Sequence, residues 1–176
     1  MKREMLEAGT AWKLGDNVTT DLIISGRYFH LRSNLEELAK HVLEDAQLMG
    51  TDKRFVEVVQ KGDFIVAGRN FGLGSSREHA PTIIKMAGVG AILAKSFARI
   101  FFRNAINIGL YAIECDTDTI ENGDRIQVDL KEGYVENRTR GMRLPFQPFP
   151  DVMLRILEDE GLVSHVAKHK GFAFAR

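Results

Sequence analysis

The sequence predicts an α/β fold with a parallel core sheet, and three observations carry that prediction. Short, mainly apolar runs recur at Asp63 to Ala67, Val89 to Ala94 and Leu110 to Glu114. Segments long enough for a helix separate them. Glycines close the elements, at Gly68 and Gly109. Strand, helix, strand, helix, strand at this spacing is the pattern of parallel strands joined by helical crossovers.

The elements follow in order. Ala11 to Leu14 is a candidate first strand, and Gly15-Asp16-Asn17 a turn. Thr19 to Tyr28 begins as a loop. Ser33-Asn34-Leu35-Glu36 has the spacing of a capping box with Ser33 as N-cap. Leu35, Leu38, Ala39, Val42, Leu43 and Ala46 then repeat at helical period, which predicts a helix from Asn34 to Leu48. After the strand at Asp63 to Ala67, a glycine-rich turn runs from Gly68 to Ser76. A helix follows near Arg77, with Pro81 tolerated in its first turn. Ser96 is the candidate cap of a helix from Phe97 to Ile106. Beyond Asp116, Asn122-Gly123 and Glu132-Gly133 are turn dipeptides around Arg125 to Leu130 and Tyr134 to Asn137, a predicted hairpin. Pro148 and Pro150 precede a last helix, Asp151 to Glu160.

Composition narrows the function classes. The chain has 176 residues, enough to bury a core without staples. Lys plus Arg and Asp plus Glu are both 24, which supports neither nucleic acid nor an anionic membrane as partner. The lone cysteine, Cys115, allows no internal disulfide and argues for a reducing, cytoplasmic setting. One thiol cannot hold an iron–sulfur cluster or a structural zinc. The charged start, Met1-Lys2-Arg3-Glu4-Met5, lacks the apolar stretch of a secretory leader, and no apolar run reaches membrane-spanning length. Cys115 is expected to be a small buried side chain, Trp12 core or interface, and His165 and His169 solvated.

The chemistry concentrates in Gly68-Arg69-Asn70-Phe71-Gly72-Leu73-Gly74-Ser75-Ser76-Arg77-Glu78-His79-Ala80-Pro81. Glycines let the backbone turn sharply and approach a ligand. Ser75 and Ser76 are expected at the helix N-terminus, where free N–H groups favour an anion. Arg77 adds a bidentate donor for a carboxylate. A capped helix behind a glycine turn is the competing, purely structural reading. A dinucleotide fingerprint fits poorly, because a serine stands at its third glycine, and a P-loop would need a lysine.

The whole string resembles the Gly-Ser-Ser-Arg-Glu-His-Ala motif of the aconitase superfamily, in its swivel domain. The resemblance continues in Ala94-Lys95-Ser96-Phe97-Ala98-Arg99-Ile100-Phe101, Asn104 and Gly109-Leu110, and upstream in Thr19-Thr20-Asp21 and Gly26-Arg27-Tyr28. The length is similar to the free-standing small subunits of 3-isopropylmalate dehydratase, not to full-length aconitase. This implies one swivel domain over residues 1–176, with a three-layer β/β/α architecture. It also implies a hydro-lyase subunit that interconverts 2- and 3-isopropylmalate by dehydration and rehydration, in leucine biosynthesis.

By the same resemblance this chain binds no cofactor. A large partner subunit, in a heterodimer or heterotetramer, carries a [4Fe–4S] cluster as Lewis acid for the substrate hydroxyl. Ser75 corresponds to the catalytic base and Asp21 to an active-site aspartate, whose alternative role is a turn cap. Ser76 and Arg77 correspond to substrate-carboxylate ligands. Arg27, Tyr28, Phe29, His30, Leu31 and Arg32 correspond to the substrate-specificity loop. There Phe29 and Leu31 suit an apolar substituent, and Arg32 suits a third carboxylate. Homoaconitate or a methylated malate such as dimethylmalate is therefore an alternative substrate. A non-catalytic binding module with the same fold is an alternative of another class. Leu73 departs from the cysteine of many bacterial small subunits.

Overall fold

The computed structural model describes residues 4–171; Met1-Lys2-Arg3 of the leader reading lies outside them. The seven strands are β1 (Met5–Lys13), β2 (Phe64–Ala67), β3 (Ala91–Ala94), β4 (Tyr111–Glu114), β5 (Arg125–Asp129), β6 (Tyr134–Asn137) and β7 (Met142–Pro145). They run in the order β4-β3-β2-β1-β5-β6-β7. The pairs β1–β2, β2–β3 and β3–β4 are parallel, with Ala11 opposite Phe64, Phe64 opposite Ala91 and Ala91 opposite Tyr111. The pairs β1–β5, β5–β6 and β6–β7 are antiparallel. β1 thus joins a parallel half to an antiparallel half.

The continuous apolar runs are explained by burial on both faces. Every residue of β2 and of β3 is buried. Alternate side chains divide between two cores, as a period of two requires. Ile65, Ala67, Ile92, Ala94 and Ala112 face a helical layer that includes Ile83, Ile84, Phe101 and Ala105. Phe64, Val66, Ala91, Leu93 and Ile113 pack with Ile126, Val128 and Val135 of the antiparallel half. The result is the expected β/β/α layering. Cys115 is buried in the second core, and burial pushes its thiol up to about 12. Trp12 is half-buried, and its indole N–H donates to buried Asp63 at 2.8 Å.

The helices are α1 (Thr20–Ile23), α2 (Leu35–Ala39), α3 (Phe55–Val58), α4 (His79–Met86), α5 (Arg99–Asn107), α6 (Asp151–Glu158) and α7 (Leu162–His169), with a 3-10 turn at Gly26–Leu31. Several differ from the sequence prediction. The expected loop after Thr19 holds α1 and the 3-10 turn, with Thr19 Oγ accepting from Leu22 N at 3.1 Å. The helix predicted over Asn34 to Leu48 stops at Ala39, and Asn34, not Ser33, caps it. Its continuation is diverted at Leu43, which takes φ +52 and donates its N–H to Ile23 O at 2.8 Å. Val42, Leu43, Ala46 and Leu48 are still buried, so the apolar period there reported burial and not helix. Ser96 does not cap α5; its Oγ accepts from Asn70 N at 2.9 Å. The last predicted helix is present as α6, and a further helix, α7, which was not predicted, follows it after Gly161 at φ +124. Among the described residues no helix is long and apolar enough to cross a membrane.

Candidate active site

The glycine-rich turn is an extension of the parallel ladder beyond the carboxyl ends of β1 and β2. Asn17 N donates to Arg69 O, Gly72 N to Val18 O and Thr20 N to Leu73 O, each at 2.7 Å. Phe71 N and Ala98 N continue the zipper toward the segment after β3. Ligands in open α/β sheets bind at this edge, outside the strand carboxyl ends. The zipper delivers Ser75 beside α1, where Ser75 N donates to the buried Thr20 Oγ1 at 2.9 Å.

A cavity of about 380 Å³ opens there. Six of the ten expected site residues line it: Ser75, Asp21, Arg77, Arg32, Tyr28 and Phe29. Ile24, Leu38 and Ala80 supply an apolar wall, and Ser25 and His79 add polar atoms. Phe29 is 48% exposed and lies between two guanidinium groups. Arg32 sits 4.5 Å and Arg77 5.0 Å from its ring centroid. Cation–aromatic stacking holds both arginines at the cavity with donors to spare for an anion.

The remaining four expected residues lie outside this lining. Arg27 pairs with Asp45 at 2.8 Å on the outer side of the loop. His30 Nδ1 contacts Arg27 O at 3.0 Å. Leu31 packs into the helix-side core, so Phe29 alone of the apolar pair faces the cavity. Ser76 is exposed, and its carbonyl accepts from Asn104 Nδ2 at 2.8 Å. Two positioning residues were not foreseen: Thr20 under Ser75, and Asn104 under Ser76.

The expected helix-terminal placement of the serines is also corrected. α4 begins at His79 with Glu78 as its N-cap, so Ser75 and Ser76 precede it. What faces Ser75 Oγ is Arg77, through Nε at 3.0 Å and its backbone N–H at 3.3 Å. A negative charge on Ser75 Oγ would be met by this guanidinium and amide.

Tyr28 ties the loop to the turn after α2. Its Oη donates to Glu44 at 2.5 Å, and its ring stacks on His41 at 3.8 Å. The Tyr28 hydroxyl, opposed by burial and aided by His41 and Arg27, holds Glu44 below its ordinary 4.5. A carboxyl depressed in this way stabilises the fold fully above its unfolded range and loses that contribution as pH falls through it. Glu44→Gln is expected to lower Tm near neutral pH, with the gap from wild type narrowing below pH 4.5. A gap of constant size through that range in thermal melts would refute the assignment.

The fold and cavity define an α/β module in which serine, arginine and aspartate side chains line one cavity at the strand carboxyl ends. The aconitase C-terminal domain model matches residues 22–118, and the chain belongs to that family. It is 58% identical over 165 residues to a 3-isopropylmalate dehydratase small subunit of Archaeoglobus fulgidus, covering 94% of this chain and 97% of the relative. It is 54% identical to a methanogen homoaconitase small subunit of Methanothermobacter thermautotrophicus, covering 91% and 90%. The crystal structure of a 3-isopropylmalate dehydratase from Methanocaldococcus jannaschii superposes with a TM-score of 0.85 at 42% identity, covering 94% and 95%.

Proposed function

We propose that this chain is the small subunit of a hydro-lyase that isomerises 2- and 3-isopropylmalate, in the cytoplasm, together with a large partner subunit. The observation that carries the reading is the convergence of Ser75, Arg77 and Asp21 on one cavity at the strand carboxyl ends. Arg77 keeps Ser75 Oγ ionisable, so that the alkoxide takes the proton from the carbon next to a substrate carboxylate. Arg77 and Arg32 hold carboxylates, and Phe29, Ile24 and Leu38 present apolar surface to the isopropyl group. Departure of the hydroxyl from the neighbouring carbon gives the alkene diacid. Water then returns with the opposite regiochemistry.

A [4Fe–4S] cluster does not fit this chain's donors. Cys115 is the only thiol, buried and held protonated by its surroundings. The reading therefore assigns to the partner the cluster that would supply Lewis acidity toward the substrate hydroxyl. The isolated chain is accordingly expected to be colourless and inactive.

A second reading, homoaconitate as substrate, is favoured by one feature: two arginines, Arg32 and Arg77, face the cavity, enough for a third carboxylate. Anaerobic reconstitution with the co-expressed large subunit tests both, following the alkene chromophore with isopropylmalate, homocitrate, citrate and methylated malates. Preference for isopropylmalate supports the main reading, and preference for homocitrate the second. Turnover by this chain alone would overturn the two-subunit scheme.

A further inference from the structure

The C-terminal helices carry a cluster that the carboxylate site does not use. His165 and His169 are four residues apart on α7, which puts them on one helix face. Their ring centroids are 4.6 Å apart. Asp159, at the C-cap of α6, comes to them from across the Gly161 break. Its Oδ2 is 2.7 Å from His165 Nδ1 and 2.8 Å from His169 Nε2. The sequence pair had been expected to be solvated for want of a nearby carboxylate; the fold supplies the carboxylate. One atom from each residue lies within 4.8 Å of the other two. Among the described residues no other His, Cys, Asp and Glu group converges in this way.

We propose that Asp159, His165 and His169 form a binding site for a borderline first-row divalent cation, Zn²⁺ in the first instance. Two imidazoles and a carboxylate are a zinc donor set, with water in the fourth position. Bonds of about 2.0–2.2 Å in a tetrahedron separate ligand atoms by about 3.3 Å, so the two N–O distances need to open by only about half an ångström. The side chains of Asp159 and His165 are 7% and 4% exposed, while that of His169 is 35% exposed. Two of the three donors are thus buried, and His169 is the one open to solvent, from which a water could complete the coordination. The other carboxylate oxygen, Oδ1, accepts from Lys168 Nζ at 2.5 Å, the kind of outer contact that orients a ligating carboxylate. Lys168, against the opposing effect of burial and with help from His165 and His169, keeps Asp159 well below the usual carboxylate range. A carboxylate is in any case ionised at neutral pH, as a ligand must be.

Bound metal would staple the α6–α7 break, which rests on the end of α5: a Cβ at Gly161 would lie 2.6 Å from Asn107 O. Without metal the cluster is satisfied as two ring N–H groups on one oxygen, so the measurement has to discriminate. The chelator-stripped full chain is titrated calorimetrically with zinc chloride, beside His169→Ala, whose residue is exposed enough to be removed without opening the core. Far-UV circular dichroism confirms that both fold. The expected result is one Zn²⁺ per chain, a raised Tm, and affinity weakened by about tenfold or more in His169→Ala. Co²⁺ loading gives a parallel visible-absorption readout of the same site. Absence of saturable binding to the wild type overturns the proposal. So does equal affinity in the two proteins, which would put the metal elsewhere.

Discussion

Replacing Ser75 by alanine is expected to lower kcat of the assembled enzyme by about 10²- to 10⁴-fold, the usual worth of a positioned base. Substrate affinity is expected to change little. The reason lies in how Ser75 is held. Its backbone N–H is fixed by Thr20 Oγ1, and that bond survives the substitution. Its hydroxyl accepts from Arg77 and makes no bond on which the core depends. The arginine stays at the cavity through its stack on Phe29, so carboxylate binding persists. Single-turnover kinetics and analogue binding on the reconstituted complex separate the two quantities. Unchanged turnover would remove Ser75 from the base role and direct attention to Asp21 and His79, which line the same cavity. A loss of binding that matched the loss of rate would make Ser75 a ligand and not a base.

The parts of the fold that were legible in the sequence are those where local pattern and tertiary burial agree. β2, β3 and the first three residues of β4 read as strands because they are buried on both faces, and β5–β6 because glycine turns bracket them. The segment from Asn34 to Leu48 shows the opposite case. Its apolar residues do face the core, but the backbone bond from Leu43 to Ile23 bends the chain out of helix, and no residue spacing announces that bond. β7 escaped because its residues are exposed or half-exposed and carry no alternation. The site divides along the same line. Ser75, Arg77 and Asp21 were legible through a motif with a chemical meaning. Thr20 and Asn104 position that motif across 55 and 28 residues of sequence; both belong to the segments that carry the family resemblance, but nothing local gives their contacts. In the specificity loop, which side chains face inward depends on the 3-10 turn. That turn sends Phe29 and Arg32 to the cavity, Leu31 to the core and Arg27 to Asp45.

The packing of the glycine-rich turn makes Gly72→Ala a substitution with a large expected effect on stability. Gly72 sits at φ +85, where an L-residue costs about 1–2 kcal/mol. A Cβ built there would lie 2.2 Å from Phe101 Cγ and 2.5 Å from Phe101 Cβ. Neither atom is the far end of a flexible chain. Phe101 is 2% exposed and meets Phe71 edge-on at 5.2 Å, so its ring has nowhere to retreat without disturbing the helix-side core. Forcing such an overlap costs about 1–3 kcal/mol more. The two terms together predict a loss of about 2–5 kcal/mol, or a Tm lower by roughly 5–20 °C for a chain of this size. Relief of the overlap by moving the loop would break the bond from Gly72 N to Val18 O, the rung of the zipper three residues before Ser75. The variant is therefore expected to lose activity even at temperatures where it remains folded, in contrast to Ser75→Ala, which keeps its Tm. Thermal melts and assays on the reconstituted complex read both effects. A Gly72→Ala protein that melts with the wild type would mean that the loop and Phe101 adjust freely, and that the zipper does not set the position of Ser75.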